Sequence, residues 1–177
     1  MEIVDASYLN DDEKILKEEA MIDIYLSIKK AKVEKKISYE ETKFHEEVYS
    51  PISANSGIKV EMEKRGWTRS GKIPTPYVNV LTGEKIRSSV ECDFLKHGIA
   101  VEVQFGKYAF EALDLDRFLE LQKRRIAKAL VMILPCHSFS KQLSTGPGYY
   151  ERAVERYKLR KIKHPAVFIG VSHGNSK

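Results

Sequence analysis

Apolar residues recur along the chain in two kinds of segment, separated by polar stretches rich in proline and glycine. From 10 to 36, Ile15, Ala20, Ile22, Ile24, Leu26 and Ile28 build a broad apolar face behind Asn10 or Asp11, either of which can cap a helix. The pattern predicts one long helix, and a face that wide places it centrally or at an interface. Tyr49-Ser50-Pro51 interrupts the chain, and 51–55 reads as a loop or a helix start. Residues 58–64 read as a short helix closed by Gly66 ahead of Trp67. Between 69 and 83, Gly71, Pro74, Pro76 and Gly83 predict a loop region with one short strand at 77–81.

The second half is more regular. Segments 89–95 and 99–105 predict two strands, and 109–127 an amphipathic helix carrying Leu113, Phe118, Leu119, Leu121, Ile126 and Ala127. Residues 129–134 are an unbroken apolar strand stopped by Pro135, 138–148 a polar loop with glycine, 149–162 a basic helix and 165–171 a last buried strand. Strand, strand, helix, strand, helix, strand is the order of an α/β fold with a central mixed sheet flanked by helices. With 177 residues, no internal repeat and no low-complexity segment, the chain fits a single domain, 1–177.

Charge changes the picture only slightly. Lys and Arg number 30 against 25 Asp and Glu, a net +5 that permits a polyanionic partner without requiring one. Residues 11–20 are acidic, whereas Lys123-Arg124-Arg125 and the run from Lys158 to His164 are basic; solvated helix faces and polyanion contacts explain them equally well. No apolar run approaches the ~20 residues of a membrane span, and the N-terminal residues lack the basic and apolar regions of a secretory signal. Cys92 and Cys136 have no CxxC spacing, so a zinc site or disulfide framework is not expected; a reducing cytosol is the default, with both thiols as buried small residues. Trp67 is expected in the core. The five histidines form no HxxxH or HNH-like pattern, and none is assigned to catalysis.

The densest chemistry lies around a hairpin. His97-Gly98 makes a two-residue turn with glycine second, pairing Lys96 with Ile99, Leu95 with Ala100, Phe94 with Val101 and Asp93 with Glu102. In that register Ile99, Val101, Val103 and Phe105 share an apolar face, and Ala100, Glu102 and Gln104 share the other with Asp93. Opposed carboxylates repel, and a divalent cation held by hard oxygen ligands, or a Lys or Arg bridge on an exposed edge, would offset the repulsion.

Asp93, eight intervening residues, then Glu102-Val103-Gln104 resembles the Asp…Glu-x-Lys signature of the PD-(D/E)XK nucleases, with glutamine where the lysine usually stands. That departure, and the string from Asp93 to Phe110, look like the BglII/BstYI group of type II restriction endonucleases, BstYI being the nearer in appearance. Tyr49-Ser50-Pro51 with Asn55, Lys64-Arg65-Gly66-Trp67, Ser140-Lys141, Ser144-Thr145-Gly146 with Tyr149-Tyr150-Glu151, and 165–170 agree with the same group.

The resemblance implies the restriction-endonuclease-like PD-(D/E)XK core and hydrolysis of double-stranded DNA at a short palindrome. That palindrome would be GATC-centred and RGATCY-like, cut to leave 5′ overhangs and 5′-phosphates. Mg2+ is the implied cofactor, with Mn2+ as a substitute, held by Asp93, Glu102 and the Val103 carbonyl. Asp93, Glu102 and Gln104 are the implied catalytic set, Gln104 orienting water or the scissile phosphate through its amide. Lys107, Ser140, Lys141, Ser144 and Thr145 are the implied DNA contacts, with 138–148 as the recognition loop. The implied setting is a homodimer in a prokaryotic cytoplasm, away from membranes, with a cognate methyltransferase in the same system but not as a physical partner. A structure-specific or repair nuclease on the same core, or an inactive DNA-binding protein, are the rival readings.

Overall fold

A computed structural model describes the chain except residues 12–15, 17, 108, 145 and 175–177, together with the side chains of Glu18, Thr42, Ala109 and Phe110. In chain order the elements are β1 (Glu2–Leu9), α1 (Glu18–Lys30), β2 (Lys35–Ile37), β3 (Glu47–Tyr49), α2 (Pro51–Glu63), and the short strands β4 (Ile73–Pro74), β5 (Tyr77–Val78), β6 (Lys85–Ile86) and β7 (Ser89–Val90). Then follow β8 (Phe94–Lys96), β9 (Ile99–Val103), α3 (Ala109–Lys123), β10 (Ala129–Pro135), α4 (His137–Ser140), α5 (Tyr150–Leu159) and β11 (Ala166–Ser172).

The main sheet has the order β1-β11-β10-β9-β8. Its centre is parallel, β9 beside β10 beside β11, and both edges are antiparallel. Parallel neighbours need a crossover, supplied by α3 and by the α4–α5 segment. β10 and β11 are covered on both faces and buried at every position, which is why they read as continuous apolar runs. Alternation within the strands divides the core. Val101, Val103, Val131, Ile133, Val167 and Ile169 face Ile24, Ile28, Ile58, Met62 and Trp67, whereas Ala100, Leu130, Met132 and Phe168 face Leu115, Phe118, Leu121 and Tyr157.

The mixed sheet and flanking helices agree with expectation, and several details differ. The expected strand 89–95 divides into Ser89–Val90, paired with Ile73–Pro74 outside the main sheet, and Phe94–Lys96 within it. The strand at 77–81 is only Tyr77–Val78, and the 138–148 loop starts in the helix His137–Ser140. The long helix over 10–36 is shorter than expected: the described helix spans only Glu18–Lys30, and Lys35–Ile37 is a strand paired with Glu47–Tyr49, while Glu2–Leu9, for which no element was expected, is a strand. Pro51 sits in the first turn of α2, with Ser50 as its cap accepting from the Ser53 N–H at 3.2 Å, so 51–63 is one helix. The expected opposition of Asp93 and Glu102 in the ladder does not occur, because pairing ends at Phe94↔Val101. Beyond that point the Ser70 hydroxyl takes the Cys92 N–H at 3.0 Å and donates to its carbonyl at 2.6 Å, drawing the backbone away from β9.

Candidate active site and DNA-facing surface

The hairpin turn forms as its residues require: His97 and Gly98 both have positive φ, 54° and 78°. It aligns β8 with β9 so that Asp93 falls one residue past the ladder, beside the C-terminal end of β9. There the Asp93 carboxylate replaces the missing strand partner, accepting the Val103 N–H on Oδ2 at 2.8 Å. The Asp93 N–H in turn points to Glu102 Oε2 at 3.4 Å. Glu102 is 7% exposed, and its Oε1 has no hydrogen-bond partner. Burial, then the charges of Asp114 and Asp93, push the Glu102 carboxyl up to about 9. The site therefore holds a protonated carboxyl near neutral pH unless a cation arrives.

Gln104 leaves the end of β9 with both ends of its amide engaged. Nε2 donates to Asp114 Oδ2 at 2.6 Å, and Oε1 accepts the Gly106 N–H at 2.8 Å. Asp114, buried on α3, is also held by Arg117 at 3.0 Å, and its carboxyl is raised chiefly by burial. From the other face of the sheet α2 contributes two residues. Asn55 accepts the Phe105 N–H at 3.1 Å, and the Lys59 ammonium donates to Asp93 Oδ1. The sequence reading grouped Asp93, Glu102, Val103 and Gln104; the structure joins Asp93 to Glu102 and to the Val103 backbone by hydrogen bonds and ties Gln104 to Asp114 and Gly106, and Lys59, Asp114 and Arg117 had not been recognised. The legible signal for Lys59 was its four-residue spacing from Asn55, which puts both on one face of a helix.

The oxygen donors fit a hard divalent cation. Among the described residues no three His, Cys, Asp or Glu side chains converge on one point. Two carboxylates, a backbone carbonyl and water nevertheless suit magnesium, which keeps several waters and uses one or two carboxylates. The buried, unpartnered Glu102 Oε1 is the polar atom that such an ion would satisfy.

The expected recognition residues divide. Lys107 is exposed and its backbone bridges to Pro147, so the segment after β9 and the 138–148 loop lie side by side. Lys141 is exposed. Ser140 and Ser144 are buried, contrary to a surface role in this conformation. Ser140 Oγ donates to the His137 carbonyl at 2.8 Å as part of α4, and Ser144 Oγ has no partner. Thr145 lies outside the described residues. The loop is stitched to the segment before α2. Tyr49 bridges Leu143, and Lys43 Nζ donates to the carbonyls of Lys141 and, at 2.5 Å, Leu143. A cleft of about 330 Å³ between them is lined by Lys43, His137, Ser140, Lys141, Ser144 and Tyr149. The basic helix is partly neutralised, because Arg156 pairs with Glu111 and Arg160 with Asp116. Cys92 and Cys136 are buried free thiols, and Trp67 is in the core.

Comparison with known proteins adds a family. Residues 7–171 match the family model described as Restriction endonuclease BglII/BglIII. No curated protein sequence matches. A crystal structure of restriction endonuclease BglII complexed with a DNA 16-mer superposes with a TM-score of 0.79 at 24% identity, covering 100% of this chain and 81% of that one. A crystal structure of free BglII gives 0.69 at 20% identity, covering 100% and 82%. These likenesses establish a shared fold, the mixed sheet with flanking helices.

Proposed function

The chain belongs to the BglII/BglIII restriction endonuclease family, type II site-specific deoxyribonucleases, and from that premise we propose a metal-dependent reaction centred on Asp93 and Glu102. The observation that carries the reading is the buried, partnerless oxygen of Glu102 beside Asp93. Asp93, Glu102 and the Val103 carbonyl would hold Mg2+, with Mn2+ as a substitute. The bound ion supplies charge to the phosphorane and lowers the pKa of the attacking water. Water oxygen bonds to phosphorus and the bond to the 3′ oxygen breaks, leaving a 5′-phosphate and a 3′-hydroxyl that takes up a proton.

The protein's own part is positional. The Val103 N–H fixes the Asp93 carboxylate, and Asn55 fixes the Phe105 backbone at the strand end. Gln104 ties that end to α3 through Asp114 rather than presenting a free amide. Exposed Lys107 and Lys141 would meet the DNA, as would Thr145. Ser140 and Ser144 would do so only after the loop opens. The substrate we propose is double-stranded DNA with a GATC-centred, RGATCY-like palindrome, cut before the G. Such symmetry is matched by a homodimer, for which Ile22 and Leu26 on α1, 48% and 42% exposed, offer an apolar contact. A prokaryotic cytoplasm with a cognate methyltransferase in the same system is the setting proposed. Among the described residues no helix is long and apolar enough to cross a membrane.

Asp93→Ala and Glu102→Ala should abolish cleavage while the proteins remain folded and still bind DNA. Near-normal cutting by Asp93→Ala would remove it as a metal ligand.

A further inference from the structure

We propose that Lys59 supplies the positive charge that position 104 lacks: it neutralises Asp93 while the metal is absent and turns to the scissile phosphate when the metal takes Asp93. The inference rests on the reading of Asp93 and Glu102 as the hydrolytic centre. Three observations carry it.

Gln104, which stands at the end of the catalytic strand, is neutral, and its only donor group is used by Asp114. It therefore brings no charge to the reacting phosphate, and its amide is directed at Asp114. Among the described residues, Lys59 alone forms an ion pair with Asp93 or Glu102. It comes from α2, on the sheet face opposite Asp114, and stands one helical turn after Asn55, which grips the backbone of Phe105. The pair is partly enclosed, the side chains being 21% and 20% exposed, so the charge is only moderately screened.

A cation entering at Asp93 must displace the ammonium, because both seek the same carboxylate oxygens. The lysine stem has four rotatable carbons, and the released head needs an anion close by. The phosphate diester brought to the same carboxylates is such an anion. A charged donor aimed at a phosphoryl oxygen is most effective in a partly water-excluded site such as this one. The arrangement also gives the metal-free protein a reason to tolerate Asp93 near Glu102.

The test uses full-length wild type, Lys59→Met, Lys59→Gln and Lys59→Arg, each checked by thermal melting. Calorimetric titration of the metal-free proteins with calcium reads the first role: Lys59→Met should bind calcium about tenfold more tightly, since a competing charge is gone. Single-turnover cleavage of a plasmid by pre-bound protein at saturating magnesium reads the second. Losing one charged donor should slow Lys59→Met by roughly 100-fold or more, with partial recovery in Lys59→Arg and little change in DNA affinity measured in calcium. Calcium affinity that is unchanged or lower in Lys59→Met overturns the counter-ion role. Cleavage by Lys59→Met within about threefold of wild type overturns the role at the phosphate. If Lys59→Met does not fold, the same thresholds apply to Lys59→Gln, which removes the charge but keeps a polar head on a shorter stem. Wild type that fails to cut with magnesium would instead strike the underlying nuclease reading, so the two failures are distinct.

Discussion

Replacing Glu102 by glutamine should stabilise the metal-free protein and abolish metal binding, and the first effect should depend on pH in a defined direction. Glutamine is close in shape, and its oxygen can still accept the Asp93 N–H that Glu102 Oε2 accepts. Burial and the charges of Asp114 and Asp93 raise the Glu102 carboxyl from 4.5 to about 9 in the folded state. The folded value lies above the unfolded one. The carboxyl's contribution to stability is therefore intact below pH 4.5 and is lost as pH climbs from there towards about 9. At about pH 8 the loss has a ceiling of about 5 kcal/mol, at 1.36 kcal/mol per unit. Water penetration and relaxation reduce it, so Glu102→Gln should gain about 1–3 kcal/mol at that pH. Urea denaturation of both proteins in chelator, at about pH 5 and about pH 8, reads the difference. The gap should be largest at the higher pH and close towards the lower. A gap that does not change with pH, or a variant less stable than wild type at about pH 8, would refute the account of Glu102 as a buried carboxyl waiting for a cation.

Three further outcomes follow from particular contacts. Arg156→Ala leaves Glu111, 2% exposed and already raised by burial, without its ion-pair partner. It should cost about 3 kcal/mol near neutral pH and much less under acid, where the carboxyl is protonated, as urea denaturation at two pH values will show. A Cβ on Gly57 would stand 2.4 Å from the Lys32 carbonyl oxygen. Gly57→Ala must therefore shift α2, lowering stability by about 1–3 kcal/mol, and because α2 carries Asn55 and Lys59 it should slow cleavage as well. Lys107→Ala should loosen base discrimination by about 1–3 kcal/mol, measured as relative cutting of sites differing in one base pair, without ending hydrolysis at the best site.

The sheet's centre was legible because β10 and β11 are buried on both faces and so read as unbroken apolar runs, and because His97-Gly98 admits one tight turn. β1 was not legible. A register shift between Ile3 and Asp5 breaks the two-residue alternation, and the strand lies at an edge where Val4 and Tyr8 are exposed. The first helix was drawn too long, to residue 36, because no proline or glycine interrupts the chain there, and tertiary pairing of 35–37 with 47–49 ends it earlier. Within the site, Asp93 and Glu102 were singled out from the hairpin register, and the resemblance to the nuclease signature added Val103 and Gln104. Lys59 was missed because its partner is 34 residues away, and Asp114, ten residues after Gln104, because it reads as one more polar position of the α3 helix. Ser140 and Ser144 read as surface hydroxyls in a polar loop, and only the packing against 43–49 shows that they are buried.

The most direct test of the central claim is digestion of a sequenced plasmid by the purified protein, with magnesium and with excess chelator, followed by sequencing of the cut ends. The account predicts double-strand breaks only with the metal, every one at a GATC-centred palindrome, with a four-base 5′ extension and a 5′-phosphate. Cutting that persists in chelator, or no cutting with magnesium by a folded protein, would contradict the metal-dependent site at Asp93 and Glu102. Discrete ends lacking GATC would contradict the proposed recognition sequence while leaving that site in place.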